Sequence, residues 1–230
     1  MKYDDFNAED GFQEPCNEEE RPPGPLSKLP SWDHARPALL LYAVFICASL
    51  LYWQSSWGDY LWISGKTFFH DHQYWRAFTS LAVHADAIHL LSNTLFFIIF
   101  GWLLNAYFGA LLFPLAALIS GACASAATVW FYEPGTRLMG ASGMVYAMAA
   151  LWLVFYIRHD YDRSLPLRII RATGFALIVL MPTVYNPSTS YLAHGIGFLF
   201  GVIAAFVMLP LAGFRKEFLQ SGGEGDDFSP

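Results

Sequence analysis

No aspartate or glutamate falls within the long apolar stretches of this chain, which run over 38–57, 88–108, 110–131, 142–157, 169–184 and 191–211. A site built inside them therefore lacks a carboxylate to orient a histidine ring. Cysteine is scarce as well. Cys16, Cys47 and Cys123 form no disulfide framework or metal cluster, and the last two, set in apolar runs, are expected as small buried hydrophobes. The first 30 residues lack the basic start and apolar core of a secretory signal, so no cleavage is expected.

What is present is hydrophobic. Apolar residues make up 55% of 230 positions and charged ones only 14%, with a mean hydropathy of +0.36. This composition reads as an all-α polytopic membrane protein. The net charge of −6 belongs to the ends, because Asp4, Asp5, Glu9, Asp10, Glu14, Glu18, Glu19 and Glu20 open the chain and Glu217, Glu224, Asp226 and Asp227 close it. Residues 1–36 are expected as a disordered acidic tail with an Arg21-Pro22-Pro23-Gly24-Pro25 linker, 37–214 as a six-helix domain, and 215–230 as a second tail. Neither a cofactor nor a nucleic-acid partner is expected, and oligomeric state is left open.

Several of the apolar stretches reach the roughly 20 residues that a helical span requires. The fourth and fifth are shorter, which tilt, local thinning or a water-filled cavity can accommodate. Six spans put both termini on one side. Lys2, Arg21, Lys28, Arg36, Arg158, Arg163, Arg168, Arg171, Arg215 and Lys216 fall on that side, against Lys66, Arg76 and Arg137 opposite, which predicts cytoplasmic termini. The second, fourth and sixth spans then all enter from the outer face, at His89, Ser142 and His194. Polar groups at that depth are expected to face one another or water.

Ser142 stands in Gly140-Ala141-Ser142-Gly143, and His194 is the base available to it in the later spans. Without a carboxylate, the pair predicts a Ser-His dyad rather than a triad. Tyr146, one helical turn beyond Ser142, can stack on the imidazole. Gly197 and Gly201 on the sixth span, with Gly143 and Ala147 on the fourth, favour close helix approach. His89 and Asn93, at i and i+4, are candidate oxyanion donors together with the Ser142 backbone N–H. A metal site from His70, His72, His84 and His89 with Asp71 or Asp86 is the competing chemistry, weakened by the absence of a recognisable ligand spacing.

Trp75-Arg76, His84, His89-Leu90-Leu91-Ser92-Asn93, Gly101, Gly140-Ala141-Ser142-Gly143 with Tyr146, and Ala193-His194-Gly195-Ile196-Gly197 with Gly201 appear in the order of a known set of motifs. Over 75–201 the chain resembles the rhomboid family of intramembrane serine proteases. The resemblance implies a six-helix bundle whose serine helix starts at the base of a water-filled cavity, and cleavage of other proteins' transmembrane segments near their outer ends. It implies Ser142 as nucleophile, His194 as base and general acid, His89 and Asn93 as oxyanion donors, and Tyr146 beneath the histidine. The segment 60–87 resembles the family's membrane-embedded first loop. Pro182 and Asn186-Pro187 interrupt regular structure between the fifth and sixth spans, where a gate for a substrate helix is expected. Asn105 stands where many bacterial members carry glutamate just after the second helix. The competing reading is a catalytically inert relative that binds membrane clients, although such proteins typically lack the serine or the histidine.

Overall fold

A computed structural model describes residues 24–180 and 189–219, and the described residues contain helices and no strand. Helix α1 spans Arg36–Gln54, α2 Arg76–Ala82, α3 Ala87–Phe108, α4 Ala117–Trp130, α5 Ser142–His159, α6 Leu165–Leu180, α7 Tyr191–Met208 and α8 Lys216–Leu219. Local chemistry sets several of these boundaries. Asp86 caps α3 by accepting the His89 backbone N–H, and Gly109 closes that helix at φ +80°. Ser190 caps α7 by accepting the Ala193 N–H at 3.1 Å. A wider turn over Leu111–Ala116, broken at Phe113 before Pro114, leads into α4.

Among the described residues, four helical stretches are long and apolar enough to cross a membrane: Trp32–Gln54, Ala87–Phe108, Leu111–Trp130 and Tyr191–Met208. The fourth and fifth anticipated spans correspond to α5, which ends on Arg158 and His159, and α6, which has 16 residues. The stretch expected over 169–184 begins earlier, at Leu165, and carries Arg168 and Arg171. Helix α5 needs little lipid contact of its own, because nearly every residue from Gly143 to Phe155 is buried among α3, α4, α6 and α7. The polytopic helical bundle expected from composition is therefore present, with α5 at its centre.

The core joins Phe97, Phe100 and Leu104 of α3 to Met144, Met148 and Phe155 of α5, with Phe113 wedged between. Outward positions are apolar too: Leu40, Val44, Leu91 and Leu95 are all more than half exposed. Such faces suit hydrocarbon rather than water. This corrects one expectation. Cys47 and Cys123 are exposed, not buried, because a small apolar side chain gains as much from facing lipid as from facing the core.

Contacts with the bundle reach back to Gly24. Trp102 donates to the Ser31 carbonyl, Tyr107 to that of Lys28 and Asn105 to that of His34, while the Gly24 N–H donates to Asp162. Asn105 lies in the last turn of α3 rather than after it, and its side-chain oxygen accepts from Arg215 at 3.4 Å. The amide thus ties the segment before α1, at His34, and the segment after α7, at Arg215, to α3. Residues Pro182, Asn186 and Pro187, where a gate was expected, lie outside the described residues.

Candidate active site

Three short contacts place Ser142. The chain before it pairs with the first loop, Ile63 and Leu138 exchanging backbone hydrogen bonds at 3.1 and 2.8 Å. The Gly140 N–H then donates to the Ser80 carbonyl at 2.8 Å, and the Ala141 N–H to His84 Nε2 at 3.1 Å. Gly140 sits at φ +116°, and a Cβ there would lie 2.7 Å from the His89 ring. Only glycine satisfies both the backbone and the ring. Ser142 follows as the first residue of α5.

His84 is wholly buried in the loop between α2 and α3. Its Nε2 accepts from Ala141, so Nδ1 carries the proton and donates to Ser49 Oγ at 3.2 Å, and Ser49 in turn donates to the Ala82 carbonyl. Burial, reinforced by the neighbouring His89, pushes its pKa down to about 3. The ring is a neutral bracket for the loop ahead of Ser142. Arg76 braces the first loop, against which that segment pairs, and is buried and donates to the Asp59 and Trp62 carbonyls and to Gln73. Burial also lowers its pKa from the usual arginine value.

His194 lies in the first turn of α7 and stacks on Tyr146, with ring centroids 4.2 Å apart and planes within 14°. Its Nδ1 is buried and has no hydrogen-bond partner among the described residues. Among the described residues no carboxylate meets the imidazole. The stacked phenol ring fixes its plane instead. Helix α7 can come this near because a Cβ on Gly197 would collide with the backbone carbonyl of Gly143, and one on Gly201 with that of Ala147. The glycine pair and its small-residue partners were all named from spacing.

His89 and Asn93 complete the arrangement from α3. The His89 N–H donates to Asp86, and one proton of the Asn93 amide donates to the His89 carbonyl at 2.8 Å. The second amide proton remains available. A cavity of about 350 Å³ is lined by His89, Gly140, Ser142, Gly143 and His194. An adjoining one of about 190 Å³ is lined by His89, Asn93, Ser142, Tyr146 and His194. Residues from α3, α5 and α7 thus share walls, as anticipated from helix ends alone. A hydroxyl and an imidazole that line one cavity, with amide and imidazole donors in the same walls, are the groups that acyl transfer uses.

The metal alternative fares differently. Both ring nitrogens of His84 are engaged in hydrogen bonds. His70 ends the helical turn Lys66–His70 and His72 lies between it and α2, and no group of three or more ligand residues forms among the described residues.

Two supports escaped sequence reasoning. Ser190 accepts from Ala193, a signal legible as an N-cap serine, and the Tyr132 hydroxyl lies 2.6 Å from Ser190 Oγ. Tyr132 carried no signal, since it reaches Ser190 from the far end of α4.

A family model described as Rhomboid domain matches residues 71–211. Rhomboid protease GlpG of Haemophilus influenzae is 31% identical over 146 residues, 60% of this chain and 71% of that protein. RHOMBOID-like proteins 1 and 2 of Arabidopsis thaliana are 30% and 31% identical over 148 residues, 61% of the chain in each case. The chain spans 36% and 44% of the length of those two plant proteins.

Proposed function

The chain belongs to the rhomboid family, and from that premise we propose that it is an intramembrane serine endopeptidase that cleaves transmembrane segments of other proteins with a Ser142–His194 dyad. Ser142 Oγ attacks the scissile carbonyl carbon while His194 takes its proton. The oxygen that becomes negative receives hydrogen bonds from His89, from the free Asn93 amide proton and from the Ser142 N–H. His194 returns the proton to the departing amine, and a water activated by the same ring hydrolyses the acyl-enzyme. Tyr146 holds the imidazole plane throughout.

The observation that carries this reading is that Ser142 and His194 line the same cavities, with His194 stacked on Tyr146 and Nδ1 lacking an acceptor among the described residues. The site belongs to a multi-pass protein of the cell membrane with both termini in the cytoplasm and the cavity open to the outer face, an orientation supported by the distribution of basic residues. A peptide bond within an intact helix is shielded by its own hydrogen bonding, so a substrate segment must unwind as it enters.

The test is cleavage of a model transmembrane substrate in proteoliposomes by the wild type and by Ser142→Ala. Loss of cleavage in the variant is expected. Equal cleavage by both removes Ser142 as nucleophile, and no cleavage by either favours the inert client-binding relative. A fluorophosphonate probe should label the wild type and fail to label His194→Ala.

A further inference from the structure

Away from the cavity, α6 is flanked by apolar grooves. The larger, of about 490 Å³, lies between the ends of α5, α6 and α7 remote from Ser142 and is walled by Val154, Ile157, Leu165, Phe206 and Leu209. Arg158 and Arg168 also line it. Arg168 is held in place through its Nε on the Arg163 carbonyl at 2.7 Å and its Nη1 on the Ile157 carbonyl at 3.0 Å. Among the described residues neither arginine has a carboxylate partner. The nearby acids are committed elsewhere, Asp160 to Arg163 at 3.0 Å and Asp162 to the Gly24 N–H at 2.6 Å.

An apolar trough with two uncompensated guanidinium groups at its mouth is complementary to an amphiphile with a negative head. Guanidinium matches phosphate oxygens through paired N–H donors, and a polar ligand gains nothing from the trough. The excess of basic residues on this side places the groove at the cytoplasmic leaflet, where anionic lipids concentrate. The structure repeats the theme on the other flank of α6. There Arg171 borders a second groove of about 230 Å³ walled by Trp152, Leu153, Tyr156, Ala172 and Phe175.

We propose that the α5–α6–α7 groove is a binding site for an anionic phospholipid, with an acyl chain along Val154, Leu165 and Phe206 and the phosphate on Arg158 and Arg168. The lipid fills the seam by which α6 rests on the bundle. This site is independent of the peptidase chemistry, and its test reads lipid alone.

Full-length protein in mild detergent is titrated with dioleoylphosphatidylglycerol and, separately, with dioleoylphosphatidylcholine, and bound lipid is counted by native mass spectrometry. The anionic lipid should bind more tightly. Arg158→Gln should weaken it about fivefold, the share of one basic side chain near an anionic surface. Arg158 is exposed, with no ion pair or hydrogen bond among the described residues for the change to break. Leu165→Trp, which fills the groove from an exposed position, should weaken both lipids. Arg36→Gln, a basic residue elsewhere at the same membrane face that pairs with Asp33, should leave binding unchanged. Equal binding of the two lipids overturns the proposal. So does an Arg36→Gln loss as large as that of Arg158→Gln, which would mean diffuse surface charge, or unaltered binding in Leu165→Trp.

Discussion

Helices α7 and α6 both pack on α5, and they do so in opposite ways. At the α7 seam two glycines press against the backbone of Gly143 and Ala147 so closely that no Cβ fits. At the α6 seam the neighbours stand apart, leaving the grooves beside Arg158 and Arg171. The tight seam carries Ser142, Tyr146 and His194, and the loose one carries none of them. Acyl transfer tolerates little displacement of nucleophile and base. On the proposed function, admission of a substrate helix would also require an element that can shift, and the more loosely seated α6 suits that demand better than α7.

The comparison breaks most readily at the tight seam. Gly201→Ala should force α5 and α7 apart, costing about 3 kcal/mol, the upper range for overpacking, because backbone atoms rather than a flexible side chain are struck. Both the melting temperature and proteolysis should fall. A variant with wild-type stability would show that the seam is not rigid.

Asn93→Ala separates chemistry from packing at the same cavity. If the free amide proton meets the oxyanion, kcat should fall about 10²-fold with KM little changed. A melting temperature that drops in step with kcat would instead give Asn93 only the structural role of its bond to the His89 carbonyl.

His84 supplies a third contrast, in pH. Its pKa is about 3 when folded, against an ordinary value near 6.5. The unfolded chain therefore binds the proton first as pH falls. Stability contributed by the neutral ring is complete above about pH 6.5 and declines between there and pH 3, by up to a few kcal/mol. The groups facing the ring are His89, which shares its sign when charged, and Asp86, which opposes it. Thermal melts at pH 7, 5.5 and 4.5 should show this slope in the wild type and a flatter one in His84→Gln. Parallel slopes would assign the acid sensitivity to other histidines.

The two seams also differ in how far they could be read from residues alone. Gly-x-x-x-Gly spacing and the acid-free runs located Ser142, Tyr146, His194 and the glycine pair, because helical periodicity reports which side chains share a face. It does not report which distant group answers a buried polar atom. The Ser49–His84–Ala141 bracket, the Tyr132–Ser190 contact and the anchoring of residues 24–35 by Trp102, Asn105 and Tyr107 join positions far apart in the chain, and nothing local encodes them. The outward cysteines were misjudged for a related reason. In a membrane both the core and the surface accept apolar residues, so hydrophobicity stops distinguishing inside from outside.

The smallest expected effect is the sharpest control on the comparison. Gly174 lies on α6, and a Cβ built there meets nothing within 4 Å. Gly174→Ala therefore repeats the chemistry of Gly201→Ala without the collision, and it removes the conformational freedom that makes glycine a poor helix former. The expected outcome is no loss of stability and a gain of at most about 1 kcal/mol, read as a small rise in melting temperature with proteolysis intact. The same methyl group then destabilises one helix and spares its neighbour, and the difference between the two variants measures how closely α5 is held on each side. Should Gly174→Ala prove as damaging as Gly201→Ala, α6 is packed as tightly as α7, and neither groove is open to a lipid chain.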